Sequence, residues 1–174
     1  TGRAYIFYND GSYPAGAASA DVIITGENTG DNFSYGIATG DLNADARTDL
    51  VIGGTSYSGT TGRAYVFYND GSIPTTAATA EALITGEAAG DGLGITLSTG
   101  DLNADGKTDL IVGASGYSSS TGRAYIFYNG SITTENASGA DVVITGEASS
   151  SLGNNATGDL NADGKVDLAV GAYI

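Results

Sequence analysis

A ten-residue segment occurs three times in this chain at a constant interval of 60 residues. The copies TGRAYIFYND, TGRAYVFYND and TGRAYIFYNG begin at Thr1, Thr61 and Thr121. A second marker, TGDLNAD, begins at Thr39, Thr99 and Thr157, which makes the last copy two residues shorter. Spacing of this kind results from internal duplication, and it restricts the chain to a series of similar units that pack on their neighbours.

Each unit contains four short segments with the composition of β-strands, separated by Gly, Asn and Asp residues that favour turns. In the first unit they span residues 3–8, 21–25, 33–39 and 50–52, and we interpret the Ala- and Ser-rich stretch 14–20 as a loop. Runs such as AYIFY and DLIVG are apolar on both faces, which is typical of strands buried from both sides. Four-stranded antiparallel sheets arranged radially are the blades of a β-propeller, so we predict an all-β propeller fold. A stacked solenoid of the same units is the alternative.

The charge and the missing residue types exclude several classes of function. The formal net charge is −14, and nine of the fifteen Asp residues lie in three short segments. With only six Lys and Arg residues there is no basic surface for nucleic acid, and no apolar run reaches the roughly 18 residues of a membrane span. The sequence contains neither Cys nor His, which removes thiol nucleophiles, the usual general base and the usual transition-metal ligands. We therefore expect a non-enzymatic module that does not insert into membranes.

The clustered Asp residues form three nine-residue loops with the sequences DLNADARTD, DLNADGKTD and DLNADGKVD. Positions one, three, five and nine carry side-chain oxygens, and position seven can contribute its backbone carbonyl. Alternating oxygens around a tight turn surround a hard cation at calcium distances, so we predict about three Ca²⁺ ions per chain. The predicted ligands are Asp41, Asn43, Asp45, Arg47, Asp49, Asp101, Asn103, Asp105, Lys107, Asp109, Asp159, Asn161, Asp163, Lys165 and Asp167.

The helical type of calcium loop does not fit these segments. It requires a carboxylate at position twelve and flanking helices, whereas position twelve here is Ile52, Val112 or Val170 within an apolar run. A metal-free turn rich in Asp and Asn is the remaining alternative. In the first loop, Ala46 stands at position six, where Gly tolerates a positive φ in the other two loops.

These residues resemble the FG-GAP repeat of the integrin α-subunit propeller over essentially the whole chain. The FG-like pairs are Phe33-Ser34, Leu93-Gly94 and Leu152-Gly153, and the GAP-like triplets are Gly53-Gly54-Thr55, Gly113-Ala114-Ser115 and Gly171-Ala172-Tyr173. The resemblance implies blades of a propeller, seven in the integrin case, with calcium loops between the first and second strands of a blade. It also implies an extracellular or cell-surface location and a role in adhesion or ligand binding. The chain departs from the family at loop position three, which is Asn, and no triplet ends in Pro.

Alignment to such a blade divides the single repeat domain into a half-blade 1–27, blades 33–87 and 93–147, and a half-blade 152–174. The two half-blades are complementary, since the first supplies strands three and four and the last supplies strands one and two. We therefore expect head-to-tail pairing of copies, in which segment 167–172 of one copy adds to segment 3–8 of the next. Two copies would close a ring of six blades, or successive copies would form a filament. The third alternative is that the chain is an excerpt of a longer repeat protein whose missing blades complete the ring. The start at Thr1 inside a repeat, without Met, suggests that a signal or a longer precursor has been removed.

Several weaker features each allow two interpretations. The repeated Arg3, Arg63 and Arg123 could contact an acidic ligand, but pairing with a carboxylate or carbonyls of the neighbouring blade is the favoured interpretation. The repeated tyrosines are better explained by blade packing than by sugar stacking, although a carbohydrate-binding propeller is the alternative function. A glycoside-type hydrolase is the third, and its candidate acids outside the loops occupy positions that look structural: Asp21, Glu27, Glu87 and Glu147. Glycosylation sequons lie at Asn32, Asn129, Asn136 and Asn155.

Overall fold

The computed structural model describes residues 1–130 and 132–173, and these form short β-strands joined by turns. Ser131, the third residue of the Asn129 sequon, and Ile174, the end of the predicted unit 152–174, lie outside the described residues. The strands are β1 (Arg3–Ile6), β2 (Val22–Thr25), β3 (Phe33–Gly40), β4 (Asp49–Gly54), β5 (Arg63–Phe67), β6 (Ala82–Thr85), β7 (Leu97–Gly100), β8 (Asp109–Ala114), β9 (Arg123–Phe127), β10 (Glu135–Asn136), β11 (Val142–Thr145), β12 (Asn154–Gly158) and β13 (Asp167–Gly171). Two four-residue helical turns, α1 (Tyr57–Thr60) and α2 (Tyr117–Ser120), precede β5 and β9.

The strands form two four-stranded antiparallel arrangements flanked by two hairpins. Strands β3, β4, β5 and β6 pair in chain order, as do β7, β8, β9 and β11, while β1 pairs with β2 and β12 with β13. The short β10 adds in parallel to β6, so a segment of the second sheet is attached to the outer strand of the first. The predicted all-β, propeller-type fold of four-stranded antiparallel sheets is confirmed.

The core lies between the sheets, as the two-sided apolar runs predict. Every residue of β4 and β8 is buried. One buried cluster contains Val51 of the first sheet together with Leu110 and Val112 of the second, so it joins the facing surfaces of both sheets. Burying a side chain of this size contributes about 1.5–3 kcal/mol relative to exposing it. Face-to-face stacking of the sheets is therefore what holds successive repeats together.

Glycines of the GAP-like triplets allow adjacent sheets to approach each other at backbone distance. A Cβ atom added to Gly53 of β4 would collide with the carbonyl oxygen of Gly94, which precedes β7 in the next sheet. The same collision would occur between Gly113 of β8 and the carbonyl oxygen of Gly153. The FG-like and GAP-like positions of neighbouring repeats thus pack directly on one another, and a side chain at either triplet glycine would force the sheets apart.

Two details of the secondary structure differ from the sequence prediction. The stretch 14–20, interpreted as a loop, contains a 3₁₀ turn at Ala17–Ser19, with equivalents at Ala77–Thr79 and Ala137–Gly139. The second and third of these turns are capped by side-chain oxygens of Thr76 and Asn136, which a search for apolar periodicity does not detect. The predicted strand 3–8 ends at Ile6.

Candidate functional site

The three Asp-rich loops occupy equivalent places in the fold. They connect β3 to β4, β7 to β8 and β12 to β13, which are the first and second strands of each arrangement. This is the position that the family resemblance implied. Each loop joins two hydrogen-bonded strands, so its ends are fixed by the sheet while its tip remains exposed to solvent.

In the second loop, side-chain oxygens fold inward onto the backbone of the turn. The N–H of Asp105 donates to Oδ1 of Asp101 at 3.0 Å and to Oδ1 of Asn103 at 2.9 Å. Gly106 donates to Oδ2 of Asp101 at 2.8 Å, and Lys107 donates to Oδ1 of Asp105 at 2.9 Å. The first and third loops repeat these donor and acceptor pairs. Positions one, three and five are thereby brought together in all three loops.

The Asp at position nine has a structural role that its assignment as a ligand missed. Asp49 is fully buried, and it accepts hydrogen bonds at 2.8 Å from the N–H groups of Leu42 and Asn69. Asp109 is also fully buried and accepts from Leu102 and Asn129 in the same way. Each carboxylate therefore ties its own loop to the end of the third strand of its sheet. The repeated Asn after each Phe-Tyr pair was the available sequence signal.

The donor chemistry of the loops fits a hard cation, although the ligand set stays a prediction. Over residues 1–130 and 132–173, no three Asp or Glu side chains are gathered closely enough to form a ready metal cage. The side chains at positions one, three and five offer only carboxylate and amide oxygens, with no sulfur or imidazole ligand, which suits Ca²⁺ or Mg²⁺ rather than a transition metal. In this arrangement the oxygens at positions one, three and five accept hydrogen bonds from backbone N–H groups of the loop. The position-nine carboxylates also accept hydrogen bonds from backbone N–H groups.

Position six of each loop adopts the left-handed backbone conformation. The φ angle is +84° at Gly106 and Gly164 and +66° at Ala46. Left-handed geometry costs a non-glycine residue roughly 1–2 kcal/mol. The first loop therefore carries backbone strain at Ala46 that position six of the other two loops lacks, as the sequence comparison indicated.

An Arg, a Tyr and a Glu form a repeated contact between adjacent sheets. Glu87, which follows β6, accepts hydrogen bonds through Oε1 from Arg123 Nη1 at 2.6 Å and from the Tyr125 hydroxyl at 2.7 Å, both in β9. The Arg123 guanidinium also lies 3.6 Å from the centroid of the Tyr117 ring. The equivalent contact of the preceding junction joins Glu27 to Arg63 and Tyr65 at 3.5 Å. The predicted pairing of these arginines with a neighbouring carboxylate is confirmed at Arg63 and Arg123.

The buried phenols of this contact titrate abnormally. Burial, reinforced by the hydrogen bond to Glu87, raises the pKa of Tyr125 above its ordinary value of 10.0. Burial and the charge of Glu27 raise the pKa of Tyr65 in the same direction. Both side chains therefore remain neutral donors at pH values where an exposed tyrosine is ionised.

Amide groups at all four predicted sequons hold parts of the structure together, and Asn32 donates to the Ser56 hydroxyl at 2.8 Å. Asn129 donates to the backbone oxygens of Asp41 and Thr108, and Asn136 donates to Gly86. Asn155 donates to the Thr96 hydroxyl at 2.8 Å. These contacts give the asparagines a structural role that requires no glycan.

Among the described residues, no helix has the length and apolar character needed to cross a bilayer. The FG-GAP repeat family model matches residues 33–67 and 93–127. The chain is 31% identical over 168 residues to "Integrin alpha-PS2" of Drosophila melanogaster, covering 86% of this chain and 12% of the relative. It is 34% identical over 161 residues to "Integrin alpha-M" of Mus musculus, an alignment that covers 86% of this chain and 14% of the relative. It is 31% identical over 161 residues to "Integrin alpha-7" of Rattus norvegicus, an alignment that covers 87% of this chain and 14% of the relative. The chain thus spans only 12% to 14% of the length of these curated relatives.

Proposed function

Because this chain is an FG-GAP repeat protein of the integrin-like propeller type, we propose that it is a calcium-stabilised propeller module with an adhesive or structural role outside the cell. The observation that carries the proposal is the threefold recurrence of one oxygen-rich loop geometry between the first and second strands of a sheet. The partner would be a protein or glycan surface, or further copies of the chain joined head to tail. The integrin-like relatives support the location and the adhesive role by similarity.

Electrostatics favours a cation in these loops. Two carboxylates brought to about 5 Å from each other repel by about 3 kcal/mol at an effective dielectric constant of 20, so the three carboxylates of a loop need a cation in order to converge. A divalent ion reverses that repulsion, and it stabilises the folded state because an unfolded loop cannot present the same oxygens. The side chains at positions one, three, five and nine and the carbonyl at position seven would hold Ca²⁺.

Three of the four candidate acids outside the loops make structural contacts, which supports a non-catalytic role: Asp21, Glu27 and Glu87. Glu27 and Glu87 are engaged by Arg and Tyr of the adjacent sheet. Asp21 accepts a hydrogen bond from the N–H of Tyr8 at 2.7 Å, and the repeat-equivalent Glu81 accepts from Tyr68. Acids committed to such contacts are poorly placed to serve as the proton donor and nucleophile of a glycosidase.

Thermal unfolding with calcium and with chelator tests the proposal. At a Ca²⁺ concentration of about 100 times Kd, each occupied loop should add roughly 2.7 kcal/mol to the free energy of unfolding. Chelation should therefore lower the melting temperature by several degrees, and calorimetric titration should show about three sites per chain.

The variant Asp101→Asn with Asp105→Asn should lose one site and part of the stabilisation. The matched control is Asp70→Asn in an exposed turn outside the loops, where the Asp70 side chain accepts hydrogen bonds from the N–H and hydroxyl of the neighbouring Ser72. The calcium proposal would be refuted if chelation left the melting temperature unchanged and calorimetric titration detected no heat of calcium binding.

A further inference from the structure

A single asparagine just after β9 contacts two of the Asp-rich loops. The side-chain amide of Asn129 donates to the carbonyl oxygen of Asp41 in the first loop at 3.2 Å and to that of Thr108 in the second loop at 3.3 Å. Its backbone N–H donates to Oδ1 of Asp109, position nine of the second loop, at 3.0 Å. Asn129 therefore bridges the two loops, although it belongs to neither.

The bridge results from the way in which the two complete sheets stack. Leu42, which follows Asp41, is 1% exposed and lies in the same buried cluster as Leu110 of β8 and Phe127 of β9. This apolar contact seats the first loop against the second sheet, and Asn129 comes two residues after Phe127. The carbonyl group of Asp41 is thereby placed within reach of the Asn129 amide, although 88 residues separate them in the chain.

A second contact joins the bases of the same two loops. The Thr99 hydroxyl donates to the carbonyl oxygen of Thr39 at 2.8 Å, and each threonine lies two residues before position one of its loop. A Cβ atom added to Gly40 would lie 2.8 Å from Cγ2 of Thr108, so the start of the first loop touches the end of the second. The backbone order of one loop is therefore in direct contact with that of the other.

The repeat-equivalent Asn69 makes only part of this bridge. Its amide donates to the carbonyl oxygen of Thr48 at 3.3 Å, and its N–H donates to Oδ1 of Asp49 at 2.8 Å. Both acceptors belong to the first loop, and among the described residues Asn69 has no hydrogen bond to a loop of another repeat. The two asparagines thus hold the loop of their own sheet in the same way, and Asn129 adds a hydrogen bond to the preceding loop.

We propose that Asn129 is a positioning residue that couples calcium binding at the first loop to calcium binding at the second. The inference rests on the calcium part of the proposed function and names a regulation of those sites. Thr108 and Asp109, once ordered by ion binding at the second loop, hold Asn129 with its amide directed at the Asp41 carbonyl. The first loop is then partly ordered before its own ion binds, so less conformational entropy is lost on binding.

The expected coupling is positive and reciprocal. One hydrogen bond of the net strength usual in proteins corresponds to a factor of about three to ten in an equilibrium constant, so an occupied second loop should tighten binding at the first by about that factor. Linkage requires the first loop to tighten binding at the second equally. A contact that served only to stabilise the fold would change the melting temperature and leave each calcium affinity independent of the other site.

Calcium titration followed by NMR resolves the three sites. The backbone amides at position six of the loops report the first, second and third sites separately, and they are Ala46, Gly106 and Gly164. The third loop lies in the hairpin that follows the second sheet, and its affinity serves as an internal reference for effects of net charge.

A double-mutant cycle isolates the coupling. Inactivation of the second loop by Asp101→Asn with Asp105→Asn should weaken binding at the first loop by about threefold to tenfold in the otherwise unaltered chain. Asn129→Asp keeps the size of the side chain but replaces the amide donor by a carboxylate oxygen. In the Asn129→Asp background, inactivation of the second loop should leave the affinity of the first loop unchanged.

Asn69→Asp is the matched control for the added charge. It places a carboxylate beside the first loop and removes the hydrogen bond to Thr48, but it keeps the bond between Asn129 and Asp41, so the coupling should persist. Melting in chelator checks that each variant is folded. If Asn129→Asp does not fold, Asn129→Ala with Asn69→Ala as its control makes the same comparison without adding charge.

The outcomes separate this inference from the proposed function. Calcium binding with independent affinities at the first and second loops would overturn the inference alone. Coupling that survives in Asn129→Asp, or that is lost equally in Asn69→Asp, would also overturn it, because the bridge would then not carry the coupling. If none of the three loops bound calcium, the proposed function itself would be refuted and the inference would fail with it.

Discussion

The loop before β4 and the loop before β13 share the sequence Asp-Leu-Asn-Ala-Asp, yet their leucines have opposite environments. Leu42 is 1% exposed, and Leu160 is 71% exposed. The local structure of the two loops is the same, including the hydrogen bonds that the Asp at position one accepts. The difference arises from the neighbouring sheet, which encloses Leu42 after the first loop, whereas no such sheet follows the third loop among the described residues. In a repeat protein of this kind, burial is decided by the neighbouring unit rather than by the local sequence.

The largest effect should come from shortening these leucines. Leu42→Ala should lower the free energy of unfolding by about 3 kcal/mol, because it leaves a cavity in the cluster between the two complete sheets. Leu160→Ala in the diluted monomer should change it by less than about 0.5 kcal/mol, since the side chain is already in water. Urea denaturation at low protein concentration measures both values. Equal losses at the two positions would mean that the repeats are not distinguished by their neighbours.

The buried Asp at position nine provides the next comparison. Asp109→Asn should destabilise the monomer by about 2 kcal/mol, because one of its two backbone donors would face an amide NH₂ group instead of an oxygen. Asp167→Asn should have a smaller effect, since Asp167 is only half-buried and has one such donor within the described residues, Leu160. Denaturation with chelator present separates this effect from calcium binding. A loss at Asp167 as large as that at Asp109 would contradict the assignment.

The contrast between local sequence and neighbouring units also explains what could be predicted from the sequence. The period of 60 residues and the two-sided apolar runs were sufficient for the strands and the four-stranded sheets, and the family resemblance implied the place of the loops between the first and second strands. The sequence could not show that Asp49 and Asp109 anchor the third strand, because that contact joins residues 20 apart through the fold. Nor did it show the stacking of Arg63 on Tyr57, since α1 has no periodic signal. Most contacts that depend on a neighbouring element were missed, and the pairing of Arg63 and Arg123 with carboxylates of the adjacent sheets is the exception.

Alkaline pH should expose the difference between the inner and outer copies of the tyrosine contact. Because the pKa of Tyr125 is raised in the folded state, its contribution to stability is complete below about pH 10 and is lost as the pH rises through the folded-state value. Tyr125→Phe should cost about 1–2 kcal/mol at neutral pH through the lost hydrogen bond to Glu87. The variant should also lose less stability than the unaltered chain above pH 10.

Denaturation curves between pH 7 and pH 11 make this measurement. Tyr5→Phe is the matched control, because Tyr5 is the repeat equivalent of Tyr125 and is 39% exposed in the monomer. It should leave the free energy of unfolding at pH 7 unchanged, because the Tyr5 hydroxyl makes no hydrogen bond to a carboxylate among the described residues. An alkaline slope that Tyr125→Phe leaves unaltered would show that other groups govern the loss.

The smallest effect separates the first loop from the second, which differ at position six. Ala46 has a φ of +66°, and Gly106 has a φ of +84° at the equivalent place. Ala46→Gly should raise the stability of the monomer by about 0.5–1 kcal/mol, because glycine reaches this conformation without a Cβ clash, although part of the gain is offset by its greater freedom in the unfolded chain. The reciprocal Gly106→Ala should lower stability by about 1 kcal/mol. If calcium needs the relaxed turn, Ala46→Gly should also tighten calcium binding at the first loop in a calorimetric titration. A gain in stability without any change in calcium affinity would show that the strain at Ala46 affects folding alone.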